Sequence, residues 1–151
     1  MALIHHPDLA DVVQQLGEQL RFKSVLPPEL FEFAILLVAR HWTSQYEWVA
    51  HERVARSKTT LPDALIRAVQ VGAVPEGMTH EQRVVHDFVV RTMKAGSPDN
   101  PVYDEAVALF GRTGVLDLIA TCGYYCLIAI VLNTAEIPLP KDVDPPLRTL
   151  L

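Results

Sequence analysis

The sequence predicts an all-α domain, and three observations predict it. Apolar residues recur at helical spacing along most of the chain. Helix-starting signals precede those stretches: prolines suited to a first turn at Pro7, Pro28 and Pro62, and capping side chains at Ser44, Thr60 and Thr79. No alternating pattern of useful length argues for a strand. The 151 residues suit one domain, residues 1–151, long enough to bury a core. Half of the residues are hydrophobic, which argues against disorder.

The elements follow in order. Leu9, Val12, Val13, Leu16 and Leu20 predict a first helix over 7–21, with Gly17 a weak point inside it. A connector ends at Pro27-Pro28. From Pro28 to about Trp42 the stripe of Leu30, Phe33, Ala34, Leu37 and Val38 is widened by Phe31, Ile35 and Leu36. That helix should be buried on most sides. Glu32 is the anomaly within it. A carboxylate in so apolar a helix needs a partner or a proton. Thr43 or Ser44 can cap the next helix, with Glu47 at the capping-box position three residues after Ser44, and that helix runs to about Ser57. Thr60, Pro62 and Asp63 start a short helix that stops at Gly72. Thr79 and Gln82 form a second capping box for a helix through about Lys94.

After the loop 96–101, a helix over 101–111 breaks near Gly111–Gly114. A long helix then covers about 114–133. Fifteen residues between Asp117 and Asn133 carry no charge. That is short for a membrane span, so the segment reads as buried core or subunit interface. The tail from Ile137 is proline-rich and extended.

A net charge of −5 argues against a general nucleic-acid or anionic-membrane surface. The two cysteines, Cys122 and Cys126, have neither disulfide-framework nor zinc spacing, and a reduced, cytoplasmic setting is expected. The opening MALIHHPDLADVV lacks the pattern of a secretory signal.

The segment 29–51 holds the candidate chemistry. Ser44, Glu47, Trp48 and His51 fall at i, i+3, i+4 and i+7 and share one helical face. A carboxylate, an indole and an imidazole on one face can make a binding site or a polar seam between helices. Plainer readings stand beside each residue. Glu32 and His51 can be a buried structural pair, and Glu47 and His51 an ordinary i, i+4 pair. Trp42 and Trp48 suit core or interface packing. His41 suits a helix C-terminus. His5-His6 lacks a third metal ligand, so no metal site is expected. His80 and His86 read as surface residues, Cys122 and Cys126 as inert thiols, and Tyr124 and Tyr125 as interface aromatics.

Three phrases carry a family resemblance: FEFAILLVAR around Glu32, YEWVAHERVAR at 46–56, and the closing GYYCLIAIVLNTAEIPLP. From about Leu9 to Pro140 the chain resembles the carboxymuconolactone decarboxylase-like proteins, which include the alkylhydroperoxidase D-type enzymes. Members with the redox motif carry Glu-x11-Cys-x2-Cys-x3-His. Here Glu32, Ser44, Glu47 and His51 hold the four positions at the same separations. The resemblance implies the six- to seven-helix fold of that family and assembly into homotrimers or homohexamers. With Ser44 and Glu47 in place of both cysteines, disulfide cycling is disfavoured.

For the branch without cysteines the resemblance implies a cofactor-independent lyase that removes carbon dioxide from a small lactone or carboxylic acid in aromatic-compound breakdown. His51 would carry the proton, Glu32 would fix its tautomer, and Glu47 would be a further acid/base group. Ser44, Tyr46, Trp48 and Tyr124 are the candidate substrate contacts. Arg40 and Arg53 are the cations nearest in sequence for a substrate carboxylate. The rivals are a hydroperoxidase-like oxidoreductase and a non-catalytic oligomeric binding protein.

Overall fold

The computed structural model describes residues 2–149, and among these the regular structure is entirely helical. After a short 3-10 turn at Ala2–His5 come α1 (Pro7–Lys23), α2 (Pro28–His41), α3 (Gln45–Lys58), α4 (Asp63–Gln70), α5 (His80–Ala95) and α6 (Asn100–Thr134). The sequence-predicted elements are all present, with ends displaced by a residue or two. The expected break near Gly111 is a kink inside α6, where Gly111 leaves helical geometry at φ +67°. A left-handed φ suits glycine because no Cβ meets the carbonyl oxygen.

Helix α2 is the axis of the fold. Every residue from Leu30 to Arg40 is buried, because α3, α4, α5 and α6 all pack on it. This matches its nearly all-round apolar pattern. Phe33, Ile35, Leu36 and Val38 meet Trp48, Ile66, Val85, Phe88 and Leu118 in one core. Helix α6 turns Leu118, Cys122, Tyr125 and Ala129 inward. Its opposite face, with Leu116, Ile119, Leu127 and Ile130, stays exposed. By length and composition α6 could also cross a bilayer, and 39% of its most apolar stretch is buried in the fold.

Capping chemistry divides the helix starts. Thr79 and Gln82 form the expected reciprocal capping box on α5. The box expected at Ser44 and the cap expected at Thr60 do not form. Ser44 occupies the N-cap position of α3 without a side-chain cap bond, and Pro62 rather than Thr60 precedes α4. The turn between α2 and α3 explains Ser44. Ser44 N–H donates to the Ala39 carbonyl and Thr43 N–H to the Arg40 carbonyl, closing α2 as a Schellman motif. Thr43 takes the left-handed position usually held by glycine, at φ +48°. Arg40 Nη2 holds its hydroxyl at 2.9 Å. The chain therefore reverses sharply, and both Ser44 and Glu47 enter the interior instead of facing water at a helix end.

The extended tail is docked. Arg40 Nη2 donates to the Arg148 carbonyl at 2.8 Å, Gln45 pairs with both backbone groups of Leu147, and Gln70 donates to the Pro146 carbonyl. Leu147 is buried beneath these bonds. His86 corrects its expected surface position: it is 7% exposed and stacks on Phe33, while His80 is exposed as expected.

Candidate functional site

The sharp α2–α3 reversal sets two helices side by side, and the anomaly in α2 finds its partner there. His51 Nδ1 lies 2.8 Å from Glu32 Oε2. An Nδ1–H donating to that carboxylate leaves Nε2 as the nitrogen able to take or give a proton. The Glu32 side chain is 8% exposed and that of His51 15%, so solvent or a ligand can still reach the imidazole.

One aromatic relay leads away from this pair. The His51 ring meets Tyr125 edge-on at 4.9 Å, and Tyr125 meets Tyr124 edge-on at 5.0 Å. Both tyrosines are buried within the chain, which corrects their expected interface role. Burial holds both phenols above their ordinary range, opposed by the Arg21 guanidinium nearby.

Ser44 and Glu47 form the second part of the site. Both are buried, and among the described residues neither the Ser44 hydroxyl nor either Glu47 carboxylate oxygen has a hydrogen-bond partner. Desolvation pushes the Glu47 carboxyl up to about 8, so it holds its proton at neutral pH. Its charge, when present, is felt by Tyr124, Tyr125 and Cys126, which locates it on the same side of the core.

The cysteines are poor nucleophiles. Burial, with Cys126 adding to it, pushes Cys122 up to about 12, and burial also raises Cys126. Cys126 Sγ accepts a hydrogen bond from Trp42 Nε1 at 3.2 Å.

A cavity of about 580 Å³ opens beside the relay, between α1, the start of α3 and the end of α6. Tyr46 and Tyr124 line it. Of the seven sequence-predicted residues, the structure thus joins Glu32 to His51, sets Ser44 and Glu47 in the interior, and gives Tyr46 and Tyr124 to the cavity. Trp48 stands apart. It is fully buried, and its Nε1 donates to Glu52 at 3.0 Å, so it serves the core.

Sequence reasoning missed two residues. Tyr125 was readable as a neighbour of Tyr124, but its contact with His51 needs the α3–α6 packing. Arg21 is the cation at the cavity, whereas Arg40 is committed to the backbone of Gln70 and Arg148 and to Thr43. Its place on α1, far from residues 29–51 in sequence, gave no signal.

No protein-family model matches the chain, and no curated protein matches it.

Proposed function

We propose that this chain is a divergent carboxymuconolactone decarboxylase-like protein, a cofactor-independent lyase acting on a small lactone or carboxylic acid. The observation that carries the reading is the 2.8 Å contact between His51 Nδ1 and Glu32 Oε2. It joins the outer two positions of the Glu-x11-Ser-x2-Glu-x3-His pattern across two helices.

The chemistry asks for little else. Breaking the bond to the departing carboxylate releases carbon dioxide and sends the electron pair into a conjugated carbonyl. A hydrogen-bond donor must meet the charge that builds on that oxygen. A positioned acid must then return a proton to carbon. His51, oriented by Glu32, is the proton carrier. Glu47, protonated at neutral pH, is a second proton source, and a phenol of the His51–Tyr125–Tyr124 row supplies the donor.

One further observation disfavours the oxidoreductase rival, and another bears on assembly. Thiols held high by burial at Cys122 and Cys126 disfavour a hydroperoxidase. The exposed apolar stripe Leu116, Ile119, Leu127 and Ile130 fits a homo-oligomer of the trimer or hexamer kind, with α6 at the contact.

The test is ultraviolet-monitored turnover of γ-carboxymuconolactone by wild type and by His51→Gln. Turnover lost in a folded His51→Gln protein supports the reading. Absence of turnover in wild type removes that substrate, and turnover unchanged in the variant removes His51 from the role.

A further inference from the structure

Gly17 lies in the middle of α1, where glycine costs about 1 kcal/mol relative to alanine. The structure supplies the reason for it. A Cβ at Gly17 would sit 2.3 Å from the Tyr124 hydroxyl oxygen and 3.4 Å from Arg21 Nη2. The bare α1 backbone thus lets a phenol from α6 and a guanidinium from α1 converge on one spot. Both groups line the cavity of about 580 Å³.

Their hydrogen-bonding capacity is largely unspent. Arg21 Nε donates a long bond of 3.4 Å to the Gly17 carbonyl. Among the described residues, no carboxylate lies within ion-pair distance of Arg21. A guanidinium has five N–H donors and accepts nothing, so it wants an acceptor with two oxygens. The remaining wall is mostly apolar, with Val13, Phe22, Ile128 and Leu132 among its residues. One acid, Glu18, also faces the cavity, and Gln14 Nε2 donates to it at 3.1 Å. A second negative group on a ligand would meet Glu18 rather than a cation. The volume lies within the usual small-ligand range of about 300–1,000 Å³.

We propose that this cavity binds a monocarboxylate with an apolar body, its carboxylate held by Arg21 and the Tyr124 hydroxyl above Gly17. The inference goes beyond the lyase reading, since His51 is not among the described residues that line this cavity, and it disfavours dicarboxylates, γ-carboxymuconolactone among them, at this position. It rests on the cavity, so binding is tested apart from turnover.

The experiment is calorimetric titration of the full chain with octanoate, with octan-1-ol as the neutral probe of the same length. Wild type should bind octanoate on the order of tenfold or more tightly than octan-1-ol, as expected for a charge-assisted pair. Arg21→Gln, an exposed position that leaves the fold intact, should abolish that preference while retaining the alcohol. Tyr124→Phe should weaken octanoate by a smaller factor. Octanoate binding by a wild type that turns over no lactone keeps this proposal and removes the lyase reading. No octanoate binding at millimolar concentration, equal binding of acid and alcohol, or indifference to Arg21→Gln would overturn the proposal.

Discussion

Replacing Glu47 by glutamine should remove the pH dependence that this residue imposes on stability. Glu47 is 2% exposed, and neither of its oxygens has a hydrogen-bond partner among the described residues. Burial raises its carboxyl from 4.5 to about 8. Between those values the folded chain keeps a proton that the unfolded chain has released. Wild-type stability therefore falls as pH rises through that window. Below about pH 4.5 both states are protonated and there is no penalty. Above about pH 8 both are ionised and the penalty is complete, on the order of 5 kcal/mol for the interval from 4.5 to about 8. Between pH 5 and pH 7.5 roughly 3 kcal/mol of it should accrue.

Glutamine keeps the shape and does not titrate in this range. Its buried amide lacks partners too, which costs about 1–3 kcal/mol at every pH. That offset cancels when the pH dependence of the two proteins is compared. Urea unfolding of wild type and Glu47→Gln at fixed protein concentration, from pH 5 to pH 8.5, gives the measurement. The variant should be the less stable protein near pH 5 and the more stable one near pH 8. Parallel stability curves across that range would refute the argument, because they would mean that Glu47 is solvated or paired and titrates in the ordinary range.

Two other outcomes follow from the same geometry. A double-mutant cycle of Glu32→Gln and His51→Gln in urea unfolding should show coupling of about 1–3 kcal/mol, since the two side chains are in direct hydrogen-bonding contact; additive losses would mean the contact contributes nothing. Gly17→Ala should lower the melting temperature, although alanine is the better helix former. The 2.3 Å approach of the Tyr124 oxygen forces a shift costing about 1–3 kcal/mol, and a rise in melting temperature would show that Tyr124 swings away freely.

Much of the helical framework was legible because it rests on local chemistry. The capping box at Thr79, the stop at Gly72 and the break at Gly111 each depend on residues within a turn of one another. The Ser44 box shows where such reading fails. Ser44 and Glu47 have the right identities and spacing, but the reversal through Thr43 puts them in the core, and burial outcompetes a cap bond that water-facing residues would make. His86 failed for a related reason: its ring packs against Phe33 of another helix, which its own neighbours do not encode.

The candidate site divides along the same line. The sequence by itself determined that a carboxylate at Glu32 in so apolar a helix needed a partner, and its separation from His51 suggested which. It also determined that no cysteine pair stands at the two middle positions. Only the tertiary structure decided that Glu47 keeps its proton, because desolvation depends on what surrounds a group in space. Only the packing of α1 against α6 decided that Arg21 and Tyr124 meet over Gly17, more than a hundred residues apart in the chain. Local patterns specify helices, but contacts between them are fixed by how their buried faces fit together.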